Sequence, residues 1–516
     1  MSRKDFITRV LYLTPTAGLW QMRYIYRFIS AVCPPAQSKI WAGKLKQGDV
    51  IFSNHPEFGG THLPDINVIT PAFNGNNIIF YVASRAHHAL PGSMPPHSKE
   101  LFQEGAAIKS EKLVSGGIFN EELVTHLLYH QPAQYPGCSC TKCLANNIND
   151  LKAQIAANQK RINHISMLIK EYGKGTAQFY MNNIQDNAEL SVRRLLKADL
   201  VAVDYRDDGS PVRLKISIDA EKGEAIFDFE GTSSEVYGNI NAPEAITYSA
   251  IICCLRCLIS EDIPLNQGCL KPINVRIPKN SFLSPSDKAA VVGGNVLTSQ
   301  RVTDVILKCF QTCAASQGRE CFRRKETKGF GYYETIAGGS SAGPDWEGTS
   351  GVHTHMTNTQ ITDSEVFERR HPVLIREFCL RPGSGGNGQH RGGDGVIRDI
   401  DFRIPVQVSI LSERRVYHPH GLNGGGDGQC VLNIWMRRTP IRGQPGKWNV
   451  KEINPGAKNT AKIYPGDRIV VKTLGRDTGD ERMILKWLLA KRHSGDDHLE
   501  PNQLVDTVSV GKTEHS

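Results

Sequence analysis

Side chains able to hold a divalent metal stand close together near the start of the chain. His62 and Asp65 lie three residues apart, and His87 and His88 close the run Ser84-Arg85-Ala86-His87-His88. Two neutral imidazoles and a carboxylate suit a divalent ion and leave positions for water or substrate. His62, Asp65 and His87 are therefore the candidate metal ligands. A single histidine is more often a surface or hydrogen-bonded residue, so the assignment depends on the backbone bringing the three together. Arg85, whose fork matches a carboxylate, and His88 are the candidate catalytic side chains. His55 and His88 can equally serve as structural support.

A hairpin is the element that would gather them. Residues 66–73 (INVITPAF) and 78–84 (IIFYVAS) are β-branched and aromatic runs on either side of Asn74-Gly75-Asn76-Asn77, a strong turn signal. Folding there sets residue 73 opposite about residue 78 and Asp65 opposite about residue 86. His62 and His87 then become neighbours at the open end.

The rest of the chain reads as scaffold. Apolar positions Ile148, Leu151, Ile155, Ile162, Ile165 and Ile169 recur at three- and four-residue spacing and stop at Gly173. This predicts a long amphipathic helix over 144–172, with a second helix over 175–199. The two can pack as an antiparallel pair, for scaffolding or subunit contact. Strands return as LVAVDY, VRLKISID and EAIFDFEG between 200 and 232. Residues 243–259 begin with Pro243 and are apolar nearly all round, as a buried helix is. Another helix is expected over 299–316, and strands with glycine loops after 370. The expected fold class is mixed α/β (α+β), with several lobes and no internal repeat.

Other motifs fail on their context. Gly383-Ser384-Gly385-Gly386-Asn387-Gly388 fits G-x-G-x-x-G, but Arg391-Gly392-Gly393-Asp394-Gly395 follows where a helix should open. No phosphate loop of the form G-x-x-x-x-G-K-[ST] and no G-x-S-x-G occurs. Cys138, Cys140 and Cys143 offer three thiols without a second pair, a thin basis for structural zinc. His353 and His355 share a face of an extended segment and suit pocket lining better than metal. A length of 516 residues calls for more than one core. The net charge of +9 comes without a long basic block, which argues against a nucleic-acid surface. Mean hydropathy is −0.33 and no stretch reaches the length of a membrane span. Thirteen cysteines without a regular framework, and no clean secretory signal in residues 6–33, point to the cytoplasm.

Longer phrases carry a resemblance. Gly59–Asp65, Ser84–His88, Pro91–Pro96 and Asp150–Asn158 resemble text of the hydantoinase B/oxoprolinase family, specifically the C-terminal half of ATP-dependent 5-oxoprolinases. So do residues 238–252, 262–269, 289–305, 329–339 and 351–363, in order, across roughly 46–472. The resemblance implies a multi-lobed fold with a strand-rich N-terminal lobe, a helical middle and a C-terminal β lobe rich in glycine loops. It implies ATP-dependent hydrolysis of the cyclic amide 5-oxoproline to glutamate. ATP would be bound by an actin-like, hydantoinase A-like partner region and not by this chain. A metal on His62, Asp65 and His87 matches the His-x-x-Asp and later His of related acetone carboxylases. A hydantoinase or acetone carboxylase-type subunit is the alternative, as is an inactive truncated product; homo- or hetero-oligomers are expected.

Both ends depart from family text. Residues 1–45 are expected to be aberrant and poorly ordered, 46–475 to form the hydantoinase B/oxoprolinase-like domain, and 476–516 to be a tail foreign to it. The codons that residues 20–33 permit, read in a shifted frame, allow a phrase the family carries at that place, and residues 473–480 permit a shorter one. Residues 318–328 also replace family text. Frameshifts would leave strand edges unpaired and lower stability or activity.

Overall fold

A computed structural model describes residues 33–475, apart from 89–95, 137, 139, 142, 262, 264–265, 316–319, 326–331, 356–360 and 445, together with two strands nearer the N-terminus. The tail expected over 476–516 and most of residues 1–32 lie outside the described residues.

The first sheet carries the candidate site. Its strands are β1 (Arg9–Leu13), β2 (Leu19–Met22), β3 (Val50–Ser53), β4 (Asp65–Asn74), β5 (Asn77–His87), β6 (Glu111–Ser115) and β7 (Ile118–Phe119), in the spatial order β2-β1-β5-β4-β3-β6-β7. Every pairing is antiparallel. The outer edge of β5 is thus covered by β1, with Arg9 opposite Arg85. Within residues 1–45, expected to be poorly ordered, the described parts form these two strands and the helix Cys33–Ile40.

Both faces of this sheet are buried, so its strands read as apolar runs and not as a clean alternation. Ile51, Ile69, Tyr81 and Ala83 enter the largest core, with the helices Lys174–Leu195, Glu244–Leu258 and Ser299–Cys309. On the other face Phe52, Ile66 and Val68 meet Ile148 and Leu151 of the helix Leu144–Tyr172. Farther along that helix Ile165 is buried with Phe80 and Val82. The spacing that predicts this helix is therefore the spacing of its buried stripe. Gly173, at φ +83°, ends it and opens the next helix, which packs on a different core.

A second sheet follows the order β11-β10-β9-β8, formed from β8 (Leu200–Tyr205), β9 (Pro211–Asp219), β10 (Glu224–Asp228) and β11 (Ile273–Arg276). The C-terminal part holds two sheets. One is β13-β12-β16-β19, from β12 (Glu320–Lys325), β13 (Tyr333–Ile336), β16 (Val406–Leu411) and β19 (Lys458–Ile463). The other is β14-β15-β20-β17-β18, from β14 (Val373–Leu380), β15 (Val396–Phe402), β17 (Leu432–Pro440), β18 (Trp448–Ile453) and β20 (Arg468–Lys472). Val408, Ile410 and Ile463 of the first share a core with Ile400, Ile469 and Val471 of the second.

Buried charges join the parts. Arg206 donates to Glu413 at 2.6 Å, Arg301 contacts Asp204 at 3.3 Å and Glu413 at 3.2 Å, and Arg414 contacts Asp204 at 2.8 Å and Asp304 at 2.6 Å. Burial pushes the Asp204 carboxyl up, but Arg414 and Arg301 outweigh it and hold it at about 2. Glu413 is likewise held at about 2, burial being outweighed by Arg206 and Arg301. His355 adds a 2.7 Å contact from Nε2 to Asp304. It therefore belongs to this network, and its φ of +54° marks the sharp turn that brings it there.

Candidate metal centre

The hairpin forms, and its register departs from the expected one by a single residue. Asn74 pairs with Asn77 and Phe73 with Ile78, as the turn signal predicts, but a shift between Ala72 and Phe73 sets Ala72 opposite Phe80. Ile79 is the extra residue of a β-bulge. From there to the open end every pair is displaced, so Asp65 faces His87 itself instead of residue 86.

One face of the two strands then carries the chemistry. Side chains two residues apart share a face, so Asp65 and Asn67 on β4 stand with Arg85 and His87 on β5, in the cross-strand pairs Asp65–His87 and Asn67–Arg85. The nearest contact is His87 Nδ1 to Asp65 Oδ1, at 2.8 Å. His62 enters from the loop before β4, with Nδ1 3.8 Å from Asp65 Oδ2. Its ring centroid lies 5.4 Å from that of His87. One ligand atom from each of His62, Asp65 and His87 falls within 4.8 Å of the other two. Among the described residues no other group of three or more His, Cys, Asp or Glu side chains is so gathered. His62 and Asp65 are almost wholly buried, whereas the His87 side chain is 29% exposed, so the cluster opens to solvent on its His87 side.

The loop bearing His62 is shaped by its neighbours. Gly59 turns at φ +88°, and a Cβ on Gly60 would sit 1.9 Å from the Asn54 carbonyl oxygen. Only glycine allows that approach. Asn54 latches the loop from beneath, donating to the carbonyls of Leu63 at 2.7 Å and Ala106 at 2.8 Å and accepting from Ile108 N–H at 2.6 Å. His55 supports the turn Pro56–Phe58, its Nδ1 accepting from Glu57 N–H. Burial lowers its pKa, with Lys109 adding to the effect.

Arg85 is buried on the site face. Its Nε donates to Asn67 Oδ1 at 2.8 Å, and Asn67 in turn donates to the Ser53 carbonyl. A guanidinium nitrogen lies 3.9 Å from Asp65, placing positive charge beside the carboxylate. His88 follows on the opposite side of the backbone. Its Nε2 meets Gln154 of the long helix at 2.9 Å, and Gln154 also donates to the carbonyls of Ile66 and Ser84. Burial pushes the His88 pKa down to about 4, so its ring is neutral near pH 7. The geometry gives it a tethering contact between helix and sheet.

Two residues that motif reasoning passed over complete the surroundings. Asn295 brings its amide 3.3 Å from His62 Nε2, across 233 residues of sequence. Glu104, fully buried, accepts from the N–H groups of Val291 and Val292 at 3.1 Å and from the Ser98 hydroxyl at 2.8 Å. Burial pushes its carboxyl up to about 7 against the pull of those donors. The available signal was the phrase 289–305, quoted for its resemblance and not examined for single roles.

Comparison with known proteins adds the lineage. The profile of Hydantoinase B/oxoprolinase matches residues 19–476. The chain belongs to this family. An uncharacterised protein of Schizosaccharomyces pombe is 59% identical over 469 residues, covering 86% of this chain and 36% of the relative. The 5-oxoprolinase of Saccharomyces cerevisiae is 54% identical over 479 residues, again 86% of this chain and 36% of the relative. The chain thus spans about a third of the length of these relatives. The solved ATP-dependent caprolactamase of Pseudomonas jessenii superposes with a TM-score of 0.76 over 93% of this chain and 87% of that one, at 18% identity. That likeness establishes the shared hydantoinase B fold. Among the described residues no helix is long and apolar enough to cross a membrane.

Proposed function

We propose that this chain is the metal-assisted part of a cytoplasmic, 5-oxoprolinase-like hydrolase that opens a cyclic amide with an ATP-binding partner region. The carrying observation is the cluster of His62, Asp65 and His87 on one face of a buried hairpin. Its donor set of two imidazoles and one carboxylate fits a divalent ion. Kinship with proteins named 5-oxoprolinase supports the substrate class, and the partial coverage of their length supports a partner region.

A five-membered lactam resists hydrolysis because its amide is resonance-stabilised, which is why coupling to ATP suits this reaction. When bound, the ion would supply Lewis-acid polarisation of the substrate oxygen or a more acidic water. The chain's own residues would bind and orient. Asp65, His62 and His87 would hold the ion. Arg85, anchored through Nε on Asn67, is the guanidinium assigned to the carboxylate of a ring acid. His88, neutral and tied to Gln154, keeps β5 seated on the long helix. The exposed flank at His87 is the side from which substrate would approach.

Elemental analysis of the purified chain tests the metal. A divalent ion should be present, and His87→Ala and Asp65→Ala should each remove it. Occupancy should fall in acid, since both imidazoles must be deprotonated to bind. Folded protein without metal would sink the proposal. The chain alone should not turn over ATP, and 5-oxoproline hydrolysis should appear only with the actin-like region supplied. Hydantoin ring opening under those conditions, without action on 5-oxoproline, would favour the hydantoinase alternative.

A further inference from the structure

Asn295 has a buried carboxamide that the fold goes to some length to place. It sits in the π-helical turn Gly294–Thr298, directly before the helix Ser299–Cys309. Such turns insert one residue into a helix and recur at functional sites. A Cβ on Gly294 would stand 1.9 Å from the Asn241 carbonyl oxygen, so the turn is pressed against that backbone. Asn241 also donates to the Ala290 carbonyl at 3.1 Å, and Glu104 caps Val291 and Val292. The segment is thereby fixed from three sides, with Asn295 itself 4% exposed.

The contact it makes is informative. The His62 nitrogen turned toward Asp65 is Nδ1, at 3.8 Å and also 3.2 Å from the Thr61 hydroxyl, while Nε2 faces Asn295 at 3.3 Å. If Nδ1 is to offer a lone pair to a metal, Nε2 must carry the proton and needs an acceptor. Asn295 Oδ1 is buried and has no hydrogen-bond partner among the described residues. A buried acceptor left without a donor loses its hydrogen bonds to water and gains nothing in return. A half-turn about χ2 exchanges the amide oxygen and nitrogen without altering the side chain's shape. It would set Oδ1 on the Nε2–H of His62.

We propose that Asn295 is a positioning residue for the metal centre, its carboxamide oxygen accepting the Nε2–H of His62 and so presenting Nδ1 as the ligand atom. This rests on the metal reading of the cluster. A histidine ligand ordinarily donates its other ring N–H to such an acceptor, and losing that partner costs about 10–100-fold in metal affinity. Asn295 is thus a link between the helix Ser299–Cys309 and the hairpin centre.

The test is titration of the metal-stripped full chain with Co²⁺, read by its d–d absorption and by chelator competition. Asn295→Leu, of similar shape but without an acceptor, should bind about 10–100-fold more weakly. Asn295→Asp, which keeps an oxygen, should stay within about threefold of the unaltered chain and retain its spectrum. Circular dichroism checks the fold of each, and Asn295→Ala replaces the leucine variant if that one does not fold. Equal affinity in the leucine or alanine variant and the unaltered chain would overturn the assignment and leave the metal reading standing. A drop in Asn295→Asp as deep as in Asn295→Leu would also overturn it. Failure of the unaltered chain to bind Co²⁺ would remove the metal reading and this inference together.

Discussion

At Arg85 geometry and charge make a demand that lysine cannot meet. The guanidinium uses Nε on Asn67 and still reaches within 3.9 Å of Asp65. An ammonium is a single point charge and cannot serve both directions in a fixed plane. Arg85→Lys should therefore raise the KM for an acidic lactam at least about tenfold, given the 1.5–3 kcal/mol typical of a charged hydrogen bond. Steady-state kinetics with the partner region present would check this; an unchanged KM would remove Arg85 from substrate binding. Which residues gather was legible at this scale, because the turn Asn74–Asn77 points His62, Asp65 and His87 to one end. Asn295 was not legible. Its partner lies 233 residues away, and no local pattern encodes a contact across that distance.

Among the elements, the loops flanking the site are held by one-residue devices. Gly60→Ala would drive a methyl into the Asn54 carbonyl, at 1.9 Å, and the loop must move. A loss of about 2 kcal/mol or more in denaturant unfolding, with His62 displaced and metal lost, is the expected result. Glu104 gives a pH signature. Burial pushes its carboxyl from the ordinary 4.5 up to about 7, so the folded state holds the proton more tightly. This contribution to stability is complete below pH 4.5 and is lost as pH rises through about 7. Glu104→Gln cannot ionise, so the difference in unfolding midpoint between it and the unaltered chain should shift in favour of Gln from pH 5 to pH 8. A difference that stays constant would show that Glu104 does not titrate there. The helix Leu144–Tyr172 matched its predicted bounds because a long apolar stripe and Gly173 both mark it. The helix expected over 299–316 stops at Cys309, with Gln311 at φ +52°, since apolar residues continue past the point where the backbone turns left-handed.

For the molecule as a whole, the ionic network is the tie whose failure is easiest to provoke. The surrounding guanidinium groups hold the Asp204 and Glu413 carboxyls at about 2, below their ordinary 3.8 and 4.5. Depressed carboxylates stabilise the fold above their unfolded values and cease to do so as pH falls through the folded ones. Stability should accordingly fall between about pH 4.5 and pH 2, and the loss should be smaller when Glu413 is Gln. Arg414→Ala, which leaves Asp204 and Asp304 without that cation, should cost about 3–5 kcal/mol in chemical denaturation. A change under about 1 kcal/mol would show that the network carries little stability. Mixed α/β character was plain from the alternation of strand and helix patterns. The pairing of β16 with β19 and of β15 with β20 was not, because the hydrophobic alternation of a strand says which face is buried and not which strand lies beside it.

The bulge at Ile79 gives the hairpin an arithmetic of its own. Between that residue and the metal-ligand end the strands are locked in step, while the tip beyond it holds two pairs and the turn. Residues added or removed symmetrically at the tip would lengthen or shorten the ribbon and leave Asp65 facing His87. Excising Ile79 alone would close the bulge and leave every pair from Ala72–Phe80 to Asp65–His87 as it is. A single-residue deletion between Phe80 and Ala86 would instead slide the residues after it by one place and swap their faces, carrying His87 toward the long helix and bringing His88 round to Asp65. Tolerance to deletion in this hairpin is therefore a parity rule: the bulge can lose its residue and keep the chemistry in register, and the paired stretch beside it cannot.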